Sequence, residues 1–249
     1  MLRKERHHYI LQKIRLDSKV VSSDLSSELK VSEDTIRRDL RELSTNGAIL
    51  KVHGGAIAAN KHIFQYRKEE IIDYELKQVI AQKAIPLIKD NSVIIMSGGT
   101  TNLELASMLP QALKATVYTY SLPIAMQLTE HPNVELIFIG GKMQKSAQVT
   151  IGIDVVSAIN NIRADFCFLG VSGLEVNTGL TETDWEVAHI KKAMITISQK
   201  TILLSTASKL GIVQKHLIEN TENLDLIITE VSPEDERVKV FSKRGIQIF

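Results

Sequence analysis

Apolar residues recur at helical spacing three times near the start of the chain. Ile10, Leu11 and Ile14 share one face of a helix predicted over residues 4–16. Leu25 and Leu29 mark a second helix, with Ser22 and Ser23 placed to cap it. After a break at Lys30-Val31, Ser32 caps a third helix that carries Ile36, Leu40 and Leu43, and Asn46-Gly47 supplies its stop. The period then becomes that of a strand. Residues 48–52 read Ala-Ile-Leu-Lys-Val, Gly54-Gly55 turns the chain, and residues 56–58 return. Three helices followed by a glycine-turned hairpin is the order of a winged helix-turn-helix.

Residues 59–74 are polar and irregular and are assigned as a linker, leaving 75–249 as a second domain that opens with a helix over 75–88. Beyond it, continuous apolar runs at 93–96, 116–119, 134–139, 166–169, 201–204 and 224–228 alternate with helical patterns. Strands rich in Val, Ile and Leu on both faces, separated by helices, predict an α/β domain with a mostly parallel sheet.

Composition adds little to this division and charge adds something. The chain has 249 residues, 44% apolar and 24% charged, with a net charge of +1. That suits a small domain plus one of ordinary size. The first sixty residues carry 11 Lys and Arg against 8 Asp and Glu, so the cationic surplus lies in the N-terminal part. The single cysteine, Cys167, lies in an apolar run and reads as a buried small hydrophobe; no disulfide framework or cysteine zinc cluster is available. With no leader-like N-terminus and no apolar stretch of spanning length, the expected location is the cytoplasm, away from any membrane.

The third helix carries the chemistry of the first domain. Thr35, Arg37, Arg38 and Arg41 fall beside its apolar stripe, free to enter a major groove. There an arginine fork can bond a guanine edge or clamp a phosphate. Ser32 and Thr35 lie in the first turn, where hydroxyls and amides bond phosphates. Lys51, His53, Gly54 and Gly55 form the wing. His53 has no second ligand at metal spacing nearby and reads as a polar wing residue, and His7 and His8 as side chains that are exposed or near phosphate; no metal site is assigned.

The run Val31-Ser32-Glu33-Asp34-Thr35-Ile36-Arg37-Arg38-Asp39-Leu40, with Leu43, Gly47 and Val52-His53-Gly54-Gly55-Ala56, resembles the DNA-binding signature of the DeoR/GlpR family of sugar-metabolism regulators. The resemblance implies that Thr35–Arg38 belongs to the recognition helix and that His53-Gly54-Gly55 is the wing tip. It implies double-stranded operator DNA and a small phosphorylated metabolite as partners, and a sensor domain similar to phosphosugar isomerases. A homodimer or higher homo-oligomer is expected on symmetry grounds.

In the second domain, Ser97-Gly98-Gly99-Thr100-Thr101-Asn102 follows a strand and opens a helix. At such a turn glycines admit an anion to the backbone and the helix N-terminus attracts it. It is neither a Walker A loop nor G-x-G-x-x-G, and no cofactor is assigned. Thr119 and Ser121 follow the next strand, with Ser121 as a helix cap. Gly179, Thr181 and Lys191 belong to a later segment in which Thr183-Asp184-Trp185-Glu186 reads as a capping box, and Lys209 follows the Thr201 strand. These residues form the expected effector site. Trp185 is expected in core or interface packing.

In the family the loop usually reads Asp-Ser/Ala-Gly-Thr-Thr-Thr; here Ser97 replaces the Asp and Asn102 the last Thr. Thr119-Tyr120-Ser121 stands where Thr-Asn-Ser is usual, and Thr206-Ala207-Ser208-Lys209 where Asp-x-Ser-Lys is usual. The anion cradle persists while recognition of sugar hydroxyls changes. Two other readings stay open: a DNA-binding scaffold whose second domain only oligomerises, and a phosphosugar isomerase-like enzyme. The second needs a base at the reacting carbon, and the expected positions hold Ser97 and Thr206, so the chain reads as a non-enzyme.

Overall fold

A computed structural model describes residues 2–17, 19–45, 48–58 and 71–249. The expected helix stop at Asn46-Gly47 and residues 59–70 of the expected linker lie outside the described residues. The chain forms two compact units, Met1–Ile63 and Phe64–Phe249.

The first unit holds helices α1 (Arg3–Asp17), α2 (Ser22–Leu29) and α3 (Glu33–Thr45), with strands β1 (Lys19–Val21), β2 (Ile49–Val52) and β3 (Gly55–Ala58). Ile10 and Ile14 of α1, Leu25 of α2 and Ile36, Leu40 and Leu43 of α3 converge in one core, closed by Val20, Ile49 and Ala56. Ser26 fixes the bend between α2 and α3: its carbonyl accepts from Lys30 and Val31, and its hydroxyl donates to the Val31 carbonyl at 2.6 Å. Lys30 enters the left-handed region there, at φ 53°.

The pattern did not reveal β1, which pairs antiparallel with β3 and completes the order β1-β3-β2. Gly55 belongs to β3 rather than to the turn. A Cβ at 55 would lie 2.0 Å from the Val20 carbonyl oxygen, so only glycine lets β1 approach this closely. Nor do Ser22 and Ser23 cap α2. They lie within it, Val21 takes the cap position, and the Ser22 amide donates to the Gly54 carbonyl at 2.8 Å, tying the wing to the helix start.

The second unit is built on a parallel sheet of β4 (Val93–Met96), β5 (Ala115–Thr119), β6 (Val134–Phe138), β9 (Ala164–Leu169), β12 (Ser198–Leu204), β14 (Leu226–Ile228) and β15 (Gln247–Ile248). Their order is β15-β14-β12-β9-β4-β5-β6. Successive strands extend one edge from β4 to β6, then β9 joins the other side of β4. The crevice between β4 and β9 is the topological switch point of a doubly wound sheet, where such folds place ligands.

Side chains alternate across this sheet. Ile95 and Cys167 enter a layer with α7 (Ile153–Asn160), α8 (Trp185–Thr196) and α9 (Glu236–Ser242). Ile94, Met96 and Phe168 enter the opposite layer with α4 (Tyr74–Ala84), α5 (Thr100–Ser107) and α6 (Leu122–Leu128). The helix expected over 75–88 ends at Ala84 and tightens into a 3-10 turn over Ile85–Leu87, where Pro86 cannot donate to the helical ladder. Short antiparallel pieces went unread in the sequence: the hairpin β7 (Lys142–Gln144) and β8 (Val149–Ile151), and the sheet of β10 (Gly173–Glu175), β11 (Gly179–Glu182) and β13 (His216–Glu219).

Candidate nucleic-acid interface and effector site

The stripe Ile36, Leu40 and Leu43 is buried, which turns the opposite side of α3 outward. Arg37, Arg38 and Arg41 lie on that outer side. Arg37 pairs with Glu33 at 3.0 Å and Arg38 with Asp34 at 3.3 Å, each one helical turn back, with the arginine side chains 61% and 71% exposed. Pairs this exposed are weak and yield readily to a phosphate or a base edge. Ser32 caps α3, its hydroxyl accepting from the Thr35 amide at 3.3 Å and meeting the Thr35 hydroxyl at 2.9 Å. Thr35 is half-buried, while Lys51, His53 and Gly54 of the wing are exposed and Gly55 is buried.

Behind this face, α3 is held to α1 by charge. Asp39 is 2% exposed and accepts from Arg6 Nε at 2.8 Å, Arg6 Nη2 at 3.2 Å and His7 Nε2 at 3.1 Å. Arg3 pairs with Glu42. His7 is therefore half-buried in a polar contact, not free at the surface as expected, whereas His8 is exposed. His7, Asp39 and Glu42 bring atoms able to bind a metal within 4.8 Å of one another, but two guanidinium groups already neutralise both carboxylates.

In the second unit, Ser97 stands at the switch point. Its hydroxyl accepts from Asn102 Nδ2 and from the Gly170 amide, both at 2.9 Å, and donates to the Gly98 carbonyl at 3.2 Å. Thr119 donates to the Met96 carbonyl at 2.9 Å and accepts from the Ser121 amide at 3.1 Å. Ser121 occupies the cap position of α6 without capping it by its side chain. A Cβ on Gly98 would stand 2.8 Å from Val149 and 3.7 Å from Ser121 Oγ, so β8 and the start of α6 close over the loop. Gly99 opens α5 at φ +117°, followed by the half-buried Thr100 and the buried Thr101. The Lys209 ammonium donates to the Val171 carbonyl at 2.7 Å, linking the loops after β12 and β9.

Ser97, Gly98, Asn102 and Ser121 are thus brought together. Other expected residues are engaged elsewhere. Gly179, at φ +97°, is needed because a Cβ would meet the Glu219 carbonyl oxygen at 2.3 Å, and Thr181 donates to the Gly173 carbonyl at 3.1 Å. Lys191 is buried against Glu182, which also accepts from Ser172 and from the Thr183 amide. Burial opposes the charge on Glu182, but the Lys191 ammonium and these hydrogen bonds outweigh it and hold the carboxyl down at about 2. In the sequence Glu182 stands only as a carboxylate without an assigned role; its pairing with Lys191 is hidden there, because that partner lies nine residues away across a strand-to-helix turn. The cap of α8 is Asp184, not Thr183, accepting from the Val187 amide at 3.0 Å. Trp185 is 59% exposed against the His189 ring, outside any core. Cys167 is fully buried, which pushes its thiol up to about 12.

Fold and outward cationic helix together define a helix-turn-helix transcriptional regulator with a separate C-terminal unit. Residues 6–62 match the DeoR-like helix-turn-helix domain and residues 72–231 the DeoR C-terminal sensor domain. The chain belongs to the DeoR family. It is 32% identical to the HTH-type transcriptional regulator GolR of Listeria innocua, over 98% of this chain and 97% of that one. It is 27% identical to the glycerol-3-phosphate regulon repressor of Escherichia coli, over 100% and 99%. Among solved structures, ribose 5-phosphate isomerase A from Methanocaldococcus jannaschii aligns with a TM-score of 0.41 at 18% identity, over 57% of this chain and 55% of that one. No helix among the described residues is long and apolar enough to cross a membrane.

Proposed function

We propose that this regulator represses transcription from an operator that α3 reads, and that a small phosphorylated sugar or related metabolite controls it from the C-terminal unit. Residues 1–58 bind DNA, 59–74 link, and 75–249 sense the effector. The observation that carries the reading is the two-sided character of α3: Ile36, Leu40 and Leu43 are fastened into the core, while Arg37, Arg38 and Arg41 are directed at solvent. Dimeric binding to two half-sites in the cytoplasm follows, with effector acting by population shift between two arrangements of the dimer. The names of relatives, among them a glycerol-3-phosphate regulon repressor, support both the sign of regulation and the effector class. Catalysis is not part of this function, since the carboxylate Glu182 is committed to Lys191.

The turn Gly98–Thr101 at the switch point holds the effector's phosphate, with backbone amides and the N-terminus of α5 as donors. Replacing Thr100 and Thr101 together by alanine should leave operator retention in a gel shift intact and weaken release by effector. An unchanged effector titration would remove the turn from the site. A second reading, in which the C-terminal unit serves assembly alone, draws on the internal hydrogen bonding of Ser97, Thr119, Lys191 and Lys209. Sugar phosphates would then leave the melting temperature where it was.

A further inference from the structure

Two polar atoms beside the Gly98 turn have no partner among the described residues: Asn102 Oδ1 and Ser121 Oγ. Their residues are 1% and 0% exposed. Buried polar atoms are nearly always satisfied, so a pair of exceptions at one place asks what completes them.

The Asn102 amide has a fixed orientation. Its nitrogen lies 3.3 Å from the Phe168 carbonyl, which can only accept, so the NH2 group must face that carbonyl and Ser97 Oγ, leaving Oδ1 turned away. Ser97 is saturated, with two bonds accepted and one donated, so it has nothing to offer a ligand and serves to position Asn102. The two departures from the family loop, Ser97 and Asn102, are therefore in contact and amount to one change. The acceptor moves from the end of β4 into the first turn of α5 and loses its charge. Ser121 approaches from the start of α6, on the far side of Gly98.

We propose that Asn102 Oδ1 and Ser121 Oγ form a neutral subsite that reads hydroxyl groups on a phosphorylated polyol. One ligand hydroxyl donates to the Asn102 carbonyl and a second exchanges a hydrogen bond with Ser121. This rests on the reading that the Gly98–Thr101 turn holds the effector's phosphate. Neither atom of the subsite carries a charge, so the subsite itself offers a protonated amine no counter-charge and favours plain polyols over amino sugars. Both atoms are sealed from solvent, so occupancy of the subsite requires the turn to rearrange.

The test measures dissociation constants on the full chain by calorimetry for inorganic phosphate, n-propyl phosphate, glycerol 3-phosphate, ribose 5-phosphate and fructose 6-phosphate. At least one hydroxylated ester should bind about tenfold or more tightly than n-propyl phosphate, the step expected for one well-made hydrogen bond. Asn102→Thr, and separately Ser121→Ala, should shrink that preference to about threefold or less while phosphate and n-propyl phosphate bind as before. If the simple phosphates bind and the polyols show no advantage, or if the advantage survives in both variants, this inference falls and the phosphate turn stands. If none of the five binds, the turn and the subsite fall together.

Discussion

The two units use their polar side chains in opposite ways. On α3 the arginines are directed outward and held by exposed partners one turn away, so a nucleic acid can take them over at little cost. At the sheet's switch point nearly every polar group is buried and already bonded, and a ligand must rearrange what is there. The first surface is exposed and loosely paired. The second is a closed set of contacts whose polar groups hold the loops of the sheet together.

That contrast can be broken by substitution. The largest effect is expected from Lys191→Met, which leaves Glu182 buried without its counter-charge. Removing one side of a buried pair costs about 3–5 kcal/mol, read as a fall in melting temperature. The folded Glu182 carboxyl titrates at about 2 rather than at 4.5. Its contribution is therefore full above pH 4.5 and is lost as the pH falls toward 2. The variant should lack that acid-dependent part of the stability curve, and an identical acid profile would show that the pair does not stabilise the fold.

Next come Arg37→Ala and Arg38→Ala, each costing about 1–3 kcal/mol of operator affinity in a gel shift and no more stability than one exposed i,i+4 pair supplies, about 0.3–0.5 kcal/mol. Undiminished binding by both would shift the reading face elsewhere. Ser32→Ala should cost about 1 kcal/mol of stability through the lost cap of α3. The smallest effect is expected from Glu33→Ala, a loss of roughly 0.3–0.5 kcal/mol of stability, with operator affinity equal or tighter because Arg37 is released. A large loss of stability there would mean that the outer face of α3 is structural after all.

Sequence and structure agree best where one residue type meets one environment. The strand at Val93–Met96 is legible because a parallel strand covered on both faces is apolar at every position. The α3 face is legible because a period of 3.6 separates Ile36, Leu40 and Leu43 from the arginines. The strands of β7, β8, β10 and β11 are hidden because three or four residues carry too little pattern, and their pairing is settled by distant partners. Local cap chemistry misplaces the start of α2, since the Ser22 amide is taken by Gly54 across the wing. The site is legible as a set of loops but not as a set of bonds. Ser97 and Asn102 show in the sequence as separate departures, and only the fold shows one answering the other.

Asp39 has a further consequence. An ion pair closed off from solvent is little screened by electrolyte, whereas phosphate contacts weaken steeply as electrolyte rises. The clamp of Arg6 on Asp39, with that carboxylate side chain 3% accessible, therefore answers to different conditions from the arginines in front of it. Brine can lift the protein off its duplex without unseating α3, so grip and shape are set by separate controls.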